Sequence, residues 1–459
     1  MKNIIINLIV FILYLLTVSC DSFVETDLPK SQLTNTAVFE NYATASAALT
    51  DIYSKIRDKG MFTGSYTGIS LQLGNYADEN ISYENTSGSG AAFYGNRLLP
   101  SSTALQEYWN SSYNQIYAAN ALIEGVQNSA NLSTENKKQL EGEALFIRAF
   151  VHFYLTNLFG DIPYIVTTDY RANSRAKKTS VEKIYENIIL DLNNAASLLP
   201  QAYTSPERFR PNKLVCRAFL SRVYLYNNQF AEASNEASAI LNQTGLFELE
   251  QDLNRVFLIP STETIWQLQS AFSGQNTLEG ASLIFISTPP SVTALNNNLV
   301  NSFSGIDQRK SQWIKAITDG ASVWHHAFKY KERDNTALSK EYSVMLRLSE
   351  QYLIRSESRA RQGDLIGAKE DLDKIRLRAG LGNTTAETAD EIISAVLQER
   401  RWELFSEMGH RFFDLKRYGV LDAALSTVKP GWNTQDRLFP IPESELSTNP
   451  NLKPQNPGY

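Results

Sequence analysis

The chain has 459 residues, 43% hydrophobic and 20% charged, with a formal net charge of −6. That describes an ordinary globular protein long enough for two or three domains. An acidic chain without a basic stripe excludes nucleic acid as the natural partner, because phosphates demand Lys and Arg.

Residues 4–18 are nearly all apolar, broken by Asn7 and preceded by Lys2. Spanning a bilayer takes about 20 apolar residues. The run is short for that and fits a signal peptide over 1–19. Its removal takes Lys2 from the charged set and leaves −7. TVSC, at 17–20, resembles a bacterial lipobox, with Thr17 where Leu or Val is usual, so Cys20 is the expected lipidation site. The alternative is a chance cysteine in an ordinary signal. Cys216, in LVCRAFLSRVYLY, is the only other cysteine and is expected to be a buried small apolar residue. An acylated Cys20 explains why an exported chain would make no disulfide. Each buried CH₂ contributes about 0.8 kcal/mol, so a multiply acylated cysteine is a firm tether.

Residues 20–39 are polar and read as an extended linker. From Glu40 the pattern turns helical, with Ala48, Ile52 and Ile56 at four-residue spacing. Residues 60–107 are rich in Gly, Ser and Tyr and show almost no helical period. Helices resume at EYWNSSYNQIYAANALIEGV and continue through GEALFIRAFVHFYLTNLF, VEKIYENIILDLNNAASLL and LVCRAFLSRVYLYNN. Between them, RANSRAKK (171–178) reads as a solvated loop rather than a phosphate site. Residues 245–340 carry β-branched residues and a Pro-Pro pair, and read as short strands and loops. Helices return at SVMLRLSEQYLIRSESRARQG and run to about Tyr418. The last forty residues hold six prolines and form an irregular tail. The organisation is therefore 40–244 as an N-terminal helical part, 245–340 as an irregular lobe and 341–459 as a C-terminal helical part with its tail.

Two segments superimpose as repeats. Ser221, Phe230, Ala233, Ala237 and Ile240 keep the spacings of Ser356, Leu365, Ala368, Leu372 and Ile375. This is the tetratricopeptide pattern, although Tyr224 corresponds to Arg359. GEALFIRAFVHF and its successor helix supply a third unit. The expected fold is mostly α, a tetratricopeptide-like helical superhelix packed against an irregular loop-rich lobe with a few short strands.

Catalytic chemistry has no candidate motif. HExxH, CxxC, calcium-loop spacing and GxSxG are absent, and adjacent His325 and His326 make poor co-ligands. No metal or cofactor is expected, nor an enzyme. In QERRWELFSEMGHRFFDLKRYG, Leu397, Leu404, Met408, Phe412 and Leu415 form an apolar stripe. Glu407 with Arg411 and Arg411 with Asp414 are expected ion pairs of a buried helix. The aromatics are the better lead. Phe62, Tyr66, Tyr76, Tyr83, Phe93 and Tyr94 fall in one polar stretch, and Phe303, Trp313, Trp324, Phe328 and Tyr330 in another. Rings stack on the apolar faces of sugars while Asn, Asp or Arg bonds the hydroxyls, and loops keep such residues available.

Four stretches resemble the SusD/RagB-like outer-membrane nutrient-binding lipoproteins of Bacteroidetes: ATASAALTDIYSKI, YWNSSYNQIYAANALIE with GEALFIRAFVHFYLTNLFGDIPYI, ERRWELFSEMGHRFFDLKRYG, and RLFPIPESELSTNPNLKPQNPGY. SEMGHR departs from the family's EGHR by one residue. The resemblance implies a surface-exposed, lipid-anchored outer-membrane protein that captures oligosaccharides without cleaving them. It implies a partner, a SusC-like TonB-dependent barrel. A peptide-capture member of the family and a helical-repeat adaptor without a small ligand are the alternatives. By position, the resemblance implies Asp78, Asn80, Tyr83, Tyr94 and Asn96 as polar or stacking contacts and Trp313 and Trp324 as stacking platforms. Trp109 and Trp402 are assigned to the core and Trp432 to neither.

Overall fold

The computed structural model describes residues 35–459. Cys20, the leader and most of the linker lie outside the described residues. Among those described, no helix is long and apolar enough to cross a membrane.

From Tyr42 onward, seven α-helices open the N-terminal part. α1 (Tyr42–Asp58) is capped by Asn41, whose side chain accepts from Thr44 N, and buries Ala45, Leu49, Ile52 and Ile56. α2 (Ile69–Tyr76) and α3 (Ser89–Tyr94) follow, with the strand β1 (Asn80–Ser82) between them. Both helices fall where the sequence shows almost no helical period. All eight residues of α2 are buried, so it has no polar face to alternate with its apolar one. α4 (Thr103–Asn128) and α5 (Thr134–Phe159) are the longest elements, and α5 is buried on every side from about Leu140 onward. After the one-turn α6 (Tyr170–Asn173), α7 (Val181–Leu198) packs along α5. Arg148 of α5 clamps this pair, bonding both oxygens of Asp191 at 2.7 and 2.6 Å and Asn120 of α4 at 2.9 Å.

The repeats form as their spacing predicts. α8 (Lys213–Tyr226) pairs with α9 (Phe230–Leu241), α11 (Leu348–Arg361) with α12 (Leu365–Arg378), and α9 stacks on α11. Ser221, Ala233, Ala237 and Ile240 are fully buried, as are Ser356, Ala368, Leu372 and Ile375. The small residues allow close approach, and Ser356 Oγ donates to Ala368 O at 2.7 Å. Arg359, standing where the first repeat has Tyr224, bonds Asp371 at 2.9 Å. Cys216 is buried in α8, and burial pushes its thiol well up.

The intervening lobe carries β2 (Thr264–Leu268), β3 (Thr293–Leu295), the helix α10 (Gln308–Trp313), β4 (Ile314–Thr318) and β5 (Val323–Ala327). β6 (Ser343–Arg347) corrects the expectation of helix at SVMLR: it pairs antiparallel with β2, and the helix begins only at Leu348. Trp266 of β2 stands edge-on to Phe146 and Phe150 of α5, at 5.0 and 5.2 Å, joining that sheet to the helical core.

The C-terminal signature is also divided. α13 (Ala389–Leu404) stops, Ser406, Met408 and Gly409 take left-handed φ of 57°, 44° and 71°, and α14 (His410–Arg417) starts in a new direction. The break falls on SEMG, the point of departure from the family's EGHR. The two expected helical pairs are not formed. Glu407 bonds Arg347 and Lys329, Arg411 bonds Asp78, and Asp414 bonds Arg400 and Arg417. The tail packs against the end of α5, with Asn456 Nδ2 donating to Phe159 O and Phe439 O at 2.7 Å each. Trp109 and Trp432 are buried in the main core, and Trp402 is half-buried beside the lobe's own core.

Candidate functional site

The chain leaves α2 through Asp78 and Glu79 into β1. β1 pairs antiparallel with β3, Asn80 opposite Leu295 and Ser82 opposite Thr293. Tyr83 N extends the ladder by donating to Val292 O at 2.9 Å. β3 lies beside β5 of the β4–β5 hairpin, in which Lys315 faces His326 and Ile317 faces Trp324. Directly opposed residues share a sheet face and i, i+2 residues do likewise. Lys315, Ile317, Trp324 and His326 therefore lie on one face. Around it stand Phe285, 5.1 Å from His326, and Phe328, 5.8 Å from His326. Lys315 and Lys331 approach the Phe328 ring at 5.2 and 4.5 Å. Trp324, Phe285 and Phe328 are half-buried, so each holds one surface against protein and leaves another open. Tyr83 is 38% exposed. Rings with lysines among them suit a ligand with apolar faces and polar edges.

Four of the other predicted contacts are turned inward, and Tyr94 is half-buried. Trp313 is 0% exposed, a correction to its reading as a stacking platform. Its Nε1 donates to Leu253 O at 2.8 Å, and its ring lies 4.9, 5.8 and 6.0 Å from the charged ends of Lys329, Arg378 and Arg347. Those cations meet Glu263, Glu403 and Glu407 in a buried network between the lobe, β6 and α13. The indole is recruited as the roof of that network, a role visible only once the lobe is folded onto α13.

Asp78 is likewise structural. Burial works against its charge, but Arg411 at 2.7 Å and Arg401 at 2.9 Å outweigh it and hold the carboxyl below its usual range. Its neighbour Glu79 lacks such partners, and burial, with the charge of Asp78, pushes it up to about 7. Asn80 is buried and donates to Leu71 O at 3.3 Å. Asn96 is buried at φ 48° and donates to Tyr76 O at 3.0 Å. Neither amide faces solvent, which corrects both as ligand contacts. Tyr94 is half-buried and roofs Lys429, whose Nζ is 3.8 Å from its ring centroid and which burial lowers to about 7.

Phe285 and His326 were missed by sequence reasoning. In WHHAF, Trp324, His326 and Phe328 alternate at period two, a signal that places all three on one face. Phe285 left no comparable trace. Among the described residues, no group of three or more His, Cys, Asp or Glu is placed to hold a metal ion.

A family model described as "Starch-binding associating with outer membrane" matches residues 23–225, and the SusD family model matches 294–459. The chain belongs to the SusD/RagB-like family. SusD-like protein P2 of Formosa agariphila is 25% identical, covering 98% of this chain and 99% of its own length. A SusD superfamily structure from Bacteroides vulgatus shares the fold at TM-score 0.79, with 21% identity over 92% of this chain and 100% of that one. A laminarin-binding SusD-like protein superposes at TM-score 0.77, with 21% identity over 92% of this chain and 100% of its own. The fold of this SusD-like chain is thus shared along nearly its whole described length.

Proposed function

We propose that this SusD-like chain captures oligosaccharides at the cell surface and passes them, uncleaved, to a SusC-like TonB-dependent barrel in the outer membrane, tethered there through Cys20. The carrying observation is the ring-lined face of the β4–β5 hairpin. Trp324 and Tyr83 are its proposed stacking contacts, with Phe285 and Phe328 extending the surface; Tyr94, half-buried over Lys429, is a further proposed stacking contact. The family description and the laminarin-binding neighbour support a glycan as the ligand class. An open groove of about 660 Å³ among the repeat helices, lined in part by Phe247, Tyr352 and Leu377, supports a protein partner on that side.

Native affinity gels cast with laminarin, starch or other polysaccharides test the reading on residues 21–459. Retention by at least one polysaccharide is expected, with no reducing ends released. Trp324→Ala should weaken it about tenfold, the equivalent of about 1.4 kcal/mol for one stacked ring. Passage through every polysaccharide gel together with co-purifying short peptides would replace the glycan by a peptide ligand. Reducing-end release would make the protein a hydrolase.

A further inference from the structure

The basic loop RANSRAKK (171–178) lies apart from the hairpin face and is held in place along its whole length. Asp169 Oδ1 caps α6, accepting from Arg171 N at 2.8 Å and Ala172 N at 3.2 Å. Asn449 and Asn451 of the tail donate to Ala176 O and Arg175 O at 2.8 and 2.9 Å, and Lys178 Nζ donates to Pro454 O at 2.5 Å. The nearby carboxylates are engaged: Asp169 as above, Asp161 with Val181 N, and Glu124 with Thr168. The side chains of Arg171, Arg175 and Lys177, by contrast, are exposed and have no hydrogen bond or ion pair among the described residues. Tyr170 beside them is 78% exposed and Val166 53%. A fixed backbone thus presents three unpaired cations and two apolar side chains on a chain that is acidic overall.

The polypeptide joins the fold next to this loop. Phe39 lies against Gly125 of α4, where even a Cβ would meet its ring at 2.0 Å, and Ser129 Oγ donates to Phe39 O at 2.7 Å. Phe39 and Thr168 line the same open groove of about 520 Å³, and Thr168 is two residues from Tyr170. The chain from Cys20 to Asn35 reaches at most about 50 Å even when fully extended.

We propose that residues 166–178 are the membrane-facing surface of the protein, Arg171, Arg175 and Lys177 docking on the phosphates of an anionic lipid surface while Tyr170 sits at its interface. The orientation rests on the Cys20 tether of the proposed function. Basic side chains near an anionic surface gain affinity while the acidic remainder is repelled, so this loop sets which way the body faces.

The test couples residues 20–459 through the Cys20 thiol to a maleimide lipid, Cys216 being buried and unreactive. Hydrogen exchange is read on vesicles of phosphatidylcholine alone, or with about one lipid in four replaced by phosphatidylglycerol. Exchange over 166–178 should slow severalfold on the anionic vesicles only, and the slowing should vanish in high salt. Arg171→Gln/Arg175→Gln/Lys177→Gln should abolish it, since each charge contributes about fivefold in surface affinity and three on the order of a hundredfold. An unchanged melting temperature confirms that the variant is folded. Equal exchange on both vesicle types, or undiminished slowing in the variant, would overturn the proposal. So would slowing on neutral vesicles produced by inorganic phosphate or a soluble acidic polysaccharide. The mass of the N-terminal peptide from the native host reports separately whether Cys20 is acylated, so loss of the tether and failure of the loop are told apart.

Discussion

Trp313→Ala separates a structural ring from a ligand-binding one. The indole is fully buried, 5.9 Å from Phe257, and covers Lys329, Arg347 and Arg378 while its Nε1 bonds Leu253 O. Truncating a buried Trp costs about 3–5 kcal/mol in transfer and cavity terms, and exposing the cations adds about 1 kcal/mol. At a urea m-value of roughly 3 kcal/mol/M, the midpoint should fall by about 1–2 M. Trp313→Phe keeps a ring and loses the Nε1 bond, and should cost about 1–2 kcal/mol. Trp324→Ala, half-buried on an exposed hairpin, should move the midpoint by a few tenths of a molar at most and act on ligand retention instead. The assay is far-UV circular dichroism against urea, paired with affinity gels on the same samples. An unmoved midpoint in Trp313→Ala, with weakened ligand retention, would refute the reasoning, because the ring would then face solvent.

Three further outcomes are expected. Glu79 is pushed up to about 7 from 4.5, so the folded chain keeps its proton where the unfolded chain has lost it, and stability should fall as pH rises from about 4.5 through 7. Glu79→Gln should flatten that slope and be more stable than the parent at pH 8 by on the order of 3 kcal/mol, read from melts at pH 5 and pH 8; parallel profiles would contradict the assignment. Asp78→Ala strands Arg401 and Arg411 in a nearly dry site and should cost about 3 kcal/mol in urea melts while leaving glycan retention unchanged; the reverse pattern would make Asp78 a ligand contact. Gly431→Ala places a Cβ 1.9 Å from Gly95 O, a backbone atom, and should cost about 1–3 kcal/mol by prising the tail from α3; an unchanged melting temperature would show that this contact is dispensable.

The repeats were legible because their signal is local. Small residues at fixed spacing state where two neighbouring helices touch, and Ser221, Ala233, Ser356 and Ala368 are buried where that spacing puts them. The family membership was legible for a related reason, since long helical signatures survive in one sequence. The site was legible only as a composition of rings in polar stretches. Phe62, Tyr76, Phe93, Phe303, Trp313 and Tyr330 went to the core, while Tyr66 and Tyr83 stayed at the surface and Tyr94, Trp324 and Phe328 remained half-open. Nothing near each ring in sequence distinguishes these fates.

By itself, then, the sequence determined the helical repeats, the family and the classes of residue available for binding. Tertiary structure decided which arginine met which carboxylate, where the C-terminal helix broke, and which face of which strand stayed open. The physical reason is range. Helical period and close packing act over three or four residues, whereas Asp78 finds Arg411 and Trp313 finds Arg378 only after distant segments have been brought together, where burial makes an unpaired charge too costly to leave.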